Sequence, residues 1–372
     1  MGSTSTRRTF PLGFPDGRMM QPLTSPLPAA AISQIDSQSV GHCPAWAQSI
    51  TDAGPIDVSV CIANWNCREH LRACLTSLQD YPQGVRIETI VVDNGSVDGA
   101  PEMVSWEFPE VILIRNKANE GFSRANNQAA ARARGRYVFF LNNDTVVPAY
   151  ALRKLVDFAD AHPEAGMIGP QLRNGRGELQ RSFRRKPSMA AMLHRTSLMR
   201  WFGVFKSAYK EYRPKLPPPT TACQVEVLLG AAVLMRRDVF EECGRWDEDF
   251  RFGVEDVELS ARVGRTHPLI HLPTVEVIHH GRISSRANMA FAAPNLLIGY
   301  VHYFRKSGAP RLKVFGYKLV LTLDAPLQLI DKSLQYLWRL VFRKRPRATK
   351  SALAASGSWH FLRHGLLRFW RT

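Results

Sequence analysis

Hydrophobic and polar positions change places in two rhythms between residues 58 and 161. Short apolar runs, "VSVCIAN" from Val58, "IETIVVD" from Ile87, "VILIRN" from Val111 and "RYVFFLNND" from Arg136, predict four strands. Between the first two, Leu71, Cys74, Leu75 and Leu78 fall at i, i+3, i+4 and i+7, one face of an amphipathic helix. "SRANNQAAARARG" predicts an Ala-rich helix closed by Gly135, and "YALRKLVDFADAH" predicts another after the fourth strand. Strands alternating with helices are the mark of βαβ units around a parallel sheet.

Each strand run ends on polar residues: Asn64, Asp93, Asn116 and Asp144. Ligands of open α/β sheets bind beyond the carboxyl ends of the strands. Loops are polar in any case, but these clusters carry Asp and Asn with Gly rather than Lys and Ser. That edge is therefore the candidate site.

The pattern loosens from Arg173 to Pro219, a basic stretch with "RRK" at 184–186 and "PPP" at 217–219. Short helices are expected there, in a lid or an acceptor-binding insert. Order resumes with "VEVLLGAAVLMRR", which reads as strand, and "EDVELSARV", which opens a helix. Residues 1–54 are rich in Ser, Thr, Pro and Gly without periodicity and read as a disordered leader. The end of the chain differs again. Residues 300–372 hold 15 Lys and Arg against Asp324 and Asp331, +13 of the formal +17. Leu327, Ile330, Leu334, Leu337 and Val341 make one apolar stripe, followed by Arg343, Lys344 and Arg345, and "WHFLRHGLLRFWR" mixes large apolar side chains with arginine. Basic amphipathic helices of this kind suit an anionic membrane surface. Packing on the rest of the chain, or a dimer contact, has the same periodicity.

Composition narrows the classes. With 45% hydrophobic residues over 372, a packed core is expected. The positive surplus suits an anionic partner. No helix-turn-helix, zinc-finger or RNA-recognition signature accompanies it, so no nucleic-acid partner is expected. No G-x-G-x-x-G follows the first strand, which argues against a dinucleotide enzyme. The six cysteines form no C-x-x-C pair and read as buried thiols of a reducing compartment. No run reaches the roughly 18 apolar residues of a membrane span, and no secretory signal pattern opens the chain. The expectation is a cytoplasmic chain lying on the inner face of the cell membrane.

Three short stretches carry candidate chemistry. A hard divalent cation takes oxygen ligands and commonly bridges one or two carboxylates and a substrate diphosphate, so Asn143 and Asp144 form either a turn or a cation site. Glu255 and Asp256 open a helix, where a carboxylate either caps the dipole or serves as a general base. His279 and His280 follow an apolar strand, as loop histidines or as imidazole ligands.

Taken in order, "VSVCIANWN", "VVDNGSVDG", "NEGFSRANNQAAARARGRYVFFLNNDT", "GAAVLMRRDVFEECGRWDEDFRFGVEDVELSARV" and "VIHHGRISS" resemble the family 2 glycosyltransferases, in particular their bacterial rhamnosyltransferase-like branch. The resemblance covers about residues 56–305. It implies a GT-A fold: a Rossmann-like mixed sheet flanked by helices, with a nucleotide half at about 55–148 and an acceptor half at about 149–305. A basic helical tail would follow at 306–372. It implies an inverting, Mg2+- or Mn2+-dependent transfer from a nucleotide-sugar, dTDP-L-rhamnose in the branch most resembled and other nucleotide sugars in its relatives. The acceptor would be a saccharide or lipid-linked saccharide of cell-wall or surface polysaccharide. By the same resemblance, Asn64, Asn66, Asp93, Asn94, Gly95, Asn119, Gly121, Phe122, Asn126, Asn142 and Asn143 line the donor. Gly230 and Ala231 lie near its sugar. Asp144 and His279 hold the cation, with His280 as the alternative, and Gly281 and Ser284 form the G-x-x-S that follows. Asp256 is the base, and Trp246, Asp247 and Glu255 face the acceptor. Asn142 stands where the family's D-x-D motif has its first acid.

Overall fold

The computed structural model of the protein describes residues 54–213, 218–281, 288–342 and 345–372. The expected leader lies outside them apart from Gly54, as do Pro217, Ser284, Arg343 and Lys344.

In chain order the elements begin β1 (Val58–Asn64), α1 (Arg68–Asp80), β2 (Ile87–Asp93), α2 (Ala100–Glu107), β3 (Ile112–Arg115), α3 (Phe122–Ala130) and β4 (Tyr137–Asn142). These four strands pair in parallel in the order β3-β2-β1-β4, as the alternation predicts. Strand residues alternate between the two faces of the sheet. Val58, Val60 and Ile62 pack with Leu71, Leu75 and Leu78 of α1 on one face. Cys61 and Phe140 pack with Ala125 and Ala129 of α3 on the other. Burial pushes the thiol of Cys74 in α1 up to about 12. α3 ends at Ala130, short of the expected stop at Gly135. Gly135 instead faces the β1 backbone, where a Cβ would meet Ser59 N at 2.6 Å.

The second half is β5 (Thr145–Val146), α4 (Ala151–Ala161), β6 (Met167–Arg173), β7 (Phe183–Arg184), α5 (Met189–Leu193), α6 (Ser197–Trp201), α7 (Lys206–Tyr212), β8 (Cys223–Val225), β9 (Val227–Leu228), β10 (Ala232–Arg236), α8 (Arg237–Glu242), α9 (Glu255–Val263) and β11 (Leu269–His279). It extends the sheet as β4-β10-β6-β11-β5, with β10 antiparallel to both β4 and β6, so the complete sheet is mixed. "VEVLLGAAVLMRR" is not one strand: the turn 229–231 splits it, sending β9 to pair with β7 and β10 into the main sheet.

The helices α10 (Met289–Lys306), α11 (Arg311–Val341), α12 (Arg345–His360) and α13 (Leu366–Arg371) follow, with a π turn over Phe361–Gly365. Phe361 and Phe369 share a core with Tyr317 of α11, Ile298 of α10, Val257 of the acidic helix α9, and Phe250 and Val254 just before it. The last aromatic segment is thus packed inward at those two rings, while Trp359 and Leu367 stay exposed.

Candidate active site

The register of the parallel strands sets Asn64 beside Asp93, and Ala63 beside Asn142, so the polar strand ends share one edge. They bind one another. Asn64 donates to Asp93 Oδ1 (2.8 Å) and accepts from Asn143 Nδ2 (2.7 Å). Asp93 also accepts from the Ser96 amide (2.8 Å) and hydroxyl (2.6 Å). The Asn66 amide donates to Ser96 Oγ (2.9 Å), and Asn66 Oδ1 accepts from the Val97 amide (2.8 Å). Asn94 accepts from Asn116 Nδ2 (2.9 Å) and donates to the Gly121 carbonyl (3.2 Å), and Gly95 lies against the Ala118 backbone. Asp93 is the hub that shapes this loop. Ser96, visible only as one more loop serine, completes it.

The neighbouring wall is sewn to the loop before α9. Asn119 Oδ1 accepts from the Gly121 amide (2.9 Å). Gly121 has φ +96°, and a Cβ there would sit 2.9 Å from the Arg251 carbonyl, which leaves glycine as the residue that fits. The Phe122 amide donates to that same carbonyl (3.2 Å). Asn126 is buried: its Nδ2 bonds Phe122 O (3.0 Å) and its Oδ1 has no partner. Asn127, unremarked in the sequence, clamps Trp246 by donating to its carbonyl (2.8 Å) and accepting from its amide (3.1 Å). Trp246 itself is a core side chain, correcting its expected place on the acceptor side. Its ring is wedged against Phe122 and Phe140, at centroid distances of 5.4 and 5.1 Å. A large indole ring recovers more free energy in the core than at a wet surface. Asp247 is ion-paired with Lys306 at the end of α10.

At the end of β4, Asp144 Oδ1 lies 3.3 Å from His279 Nε2. β11 delivers the histidine, because His279 is paired with Thr145. Gln180 fixes the ring: its Nε2 donates to the His279 carbonyl (2.6 Å), so its Oε1 faces Nδ1 (3.0 Å). Gln180 Oε1 thus accepts from Nδ1, which leaves Nε2 turned toward Asp144. Burial opposes ionisation of Asp144, but the hydrogen bond and charge of His279 outweigh it and hold the carboxyl below its usual range. His280 turns away from this pair to lie against His70, with ring centroids 5.2 Å apart and planes tilted by 42°. Among the described residues, no group of three or more His, Cys, Asp and Glu is arranged to hold a metal. Two donors each about 2.1 Å from one ion, at right angles, lie about 3 Å apart. Asp144 and His279 therefore fit a cation that takes its remaining ligands from substrate or water. Asn142, with Nδ2 3.4 Å from His279 Nε2, borders the pair.

The acidic helix α9 begins under backbone strain. Val254, its N-cap, has φ +78°, rare for a β-branched residue, and follows Gly253 at +72°. The kink turns Glu255 and Asp256 into the site. Asp256 Oδ1 accepts from Arg184 Nη2 and from the Val257 amide. Arg184, on β7, was legible in the sequence only as part of a basic run. Its Nε is buried without a partner, and so is Oε2 of Glu255. Burial, then the nearby charge of Asp256, push Glu255 up to about 8.

The turn 229–231 joins the two clusters. A Cβ on Gly230 would touch Asp256 Cβ at 3.4 Å, while the Ala231 carbonyl accepts from the Asn142 amide (2.9 Å). The depression lined by Arg136, Tyr137, Asp160 and Arg236 lies at the opposite ends of the strands and is occupied by ion pairs.

A sheet of this order, with Asp and Asn at one edge and an acidic helix facing it across a glycine turn, defines a sugar transferase of the GT-A fold. The chain belongs to glycosyl transferase family 2, whose family model matches residues 59–244. It is 29% identical over 245 residues to the N-acetylglucosaminyl-diphospho-decaprenol L-rhamnosyltransferase of Mycobacterium tuberculosis, covering 62% of this chain and 77% of that protein. It is 27% identical over 262 residues to the O-antigen biosynthesis protein RfbC of Myxococcus xanthus, covering 67% of this chain and 19% of that one. A crystal structure of GalNAc-T7 with UDP, GalNAc and Mn2+ superposes with a TM-score of 0.50 at 17% identity, over 68% of this chain. The chain spans about half of that structure, 48%.

Proposed function

We propose that the protein is a cation-assisted, inverting transferase that moves rhamnose from a nucleotide-diphosphate donor to a lipid-linked saccharide, in cell-wall or surface polysaccharide synthesis at the cytoplasmic face of a membrane. The observation that carries the reading is the turn 229–231, which touches the acidic helix at Asp256 and the strand end at Asn142. Rhamnose and the lipid-linked acceptor rest on the similarity to the mycobacterial rhamnosyltransferase. A UDP- or GDP-sugar donor is the alternative.

In this reading the loops of Asn64, Asn66, Asp93, Asn94 and Gly95 receive the nucleotide, and Asn119, Gly121 and Phe122 bound the donor pocket. Asn142 and Asn143 border the diphosphate, and Asn126 supports the wall from within. Asp144 and His279 are the protein ligands of a divalent cation, Mg2+ or Mn2+, which when bound neutralises charge on a departing diphosphate. Asp256 takes the proton of an acceptor hydroxyl. The freed oxygen forms a bond to the anomeric carbon on the face opposite the diphosphate, the sugar–phosphate C–O bond breaks with its electron pair going to the diphosphate, and configuration inverts. Glu255 and Asp247 sit on the acceptor side of Asp256.

A thermal-shift screen of dTDP-, UDP- and GDP-sugars with and without Mn2+ tests the donor half, since a ligand stabilises by RT ln(1 + [L]/Kd). The dTDP-sugar is expected to stand out, with its Mn2+ dependence lost in Asp144→Ala. Asp256→Asn is expected to keep the shift and lose at least about 100-fold in kcat. Wild-type turnover in that variant would remove the base assignment.

A further inference from the structure

α11 is apolar on two faces. Val314, Tyr317, Leu321 and Ala325 are buried against the rest of the protein. The outer face runs from Leu312 through Phe315, Leu323, Ile330 and Leu337 to Val341, in steps of three, four, seven or eight residues that return to one side of a helix. All six are exposed, Leu312 by 81% and Val341 by 76%. At 31 residues the helix is about 45 Å long. A soluble surface does not ordinarily carry an apolar seam of that length.

A second exposed apolar element adjoins it. Between α6 and α7 the chain reads Trp201-Phe202-Gly203-Val204-Phe205, with Trp201 64% and Phe202 78% exposed. Gly203 and Phe205 both have positive φ, 67° and 59°, so the turn holds these side chains out instead of folding them in. It is anchored from behind, where His194 Nδ1 donates to the Val204 carbonyl (2.7 Å). The hairpin docks on α11: buried Asp324 accepts from the Ser197 and Leu198 amides at 2.8 and 3.2 Å, capping α6. Arg200 lies within electrostatic reach of Asp331, which directly follows Ile330 on α11.

We infer that the outer face of α11 and the Trp201–Phe205 turn together form the surface by which the protein lies on an anionic lipid bilayer. Charge selects this occupant. Residues 195–213 carry Arg195, Arg200, Lys206, Lys210 and Arg213 against Glu211, and residues 300–372 supply +13. Anionic headgroups complement such a surface. A second copy would set one positive tail against another, which like charges oppose. Aromatic side chains at the rim suit the headgroup level. No helix among the described residues is long and apolar enough to cross a membrane, so contact is from one side. The docking is independent of the donor; it deepens the proposed reading by bringing the site to where a lipid-linked acceptor resides.

The test is flotation of the full chain with phosphatidylcholine vesicles with and without phosphatidylglycerol, alongside light scattering for mass. Expected is binding to the phosphatidylglycerol vesicles alone, weakened about tenfold or more by Phe202→Ser and by Leu334→Glu with Leu337→Glu. Far-ultraviolet circular dichroism, melting temperature and nucleotide-sugar thermal shift should be unchanged in these variants. Absence of flotation, or equal flotation of the variants, overturns the inference. So does a dimer that the same substitutions convert to monomer, which would assign the face to a second copy. Loss of donor binding in the wild-type chain would count against the proposed activity and leave the docking result standing.

Discussion

Asp256 and Arg184 meet where both side chains are largely shielded from water, 13% and 20% exposed. In such a setting one partner cannot be removed without leaving the other uncompensated, at a cost of about 3–5 kcal/mol. Arg184→Ala should therefore destabilise the wild-type protein by about that much in urea unfolding, and by clearly less in an Asp256→Asn background, where no carboxylate is stranded. An equal cost in both backgrounds would show that the pair is not coupled. Glu255, next in the chain, makes the opposite contribution. Its folded value of about 8 stands above its ordinary 4.5. Below about 4.5 both states hold the proton and nothing is lost. Between the two values the folded state keeps a proton that the unfolded state releases, so stability falls as pH rises. Glu255→Gln removes that loss. The melting temperature of the variant should gain on wild type steadily from pH 5 to pH 8, and a pH-independent difference would show that Glu255 is not held protonated. The sequence marks Glu255 and Asp256 as a helix start. It has no mark for Arg184, which is 72 residues upstream in a run of basic side chains.

α10 determines how α9 is presented. Gly299, in the middle of α10, lets the helix approach the loop before α9 so closely that a Cβ would lie 2.7 Å from the Gly253 carbonyl. The strained pair Gly253-Val254 is held in place by that contact, directly before the two acids. Gly299→Val should push the helices apart, costing about 1–3 kcal/mol as overpacking does. It should also lower kcat more than it weakens donor binding; a stability loss with unchanged kcat would separate α10 from the site. Element boundaries follow the same logic of contact. The first four strands and α1 are legible because their burial is uniform and their period clean. "VEVLLGAAVLMRR" misleads because an apolar run has no sign of the break at 229–231, where two sheets compete for its halves. Trp246 misleads likewise, since an aromatic beside acidic residues reads the same whether it faces ligand or core.

In the molecule as a whole, the basic C-terminal helices share a core with the start of α9 and the loop before it. Tyr317, Phe361 and Phe369 pack in one cluster with Phe250, Val254 and Val257. Deleting residues 311–372 removes those side chains at once and bares the apolar surface beneath α9 and α10. The expected result is a chain that unfolds at lower temperature, or without a cooperative transition, in calorimetry. A truncated chain with the melting temperature of the full one would mean that the tail is only an accessory. The sequence by itself determined the parallel strands, the polar edge at their ends and the family, because local period and motif order are properties of neighbouring residues. It also set the two amphipathic options for the tail, lipid or protein. Only the tertiary structure decided that α11 has two apolar faces, one against the core and one left outside, and that Arg184, Gln180 and the turn 229–231 bring Asp256 and His279 into relation with Asn142 and Asp144. Those relations depend on which surfaces meet across long stretches of chain, 72 residues for Arg184 and Asp256 and 99 for Gln180 and His279, and no period along the sequence records them.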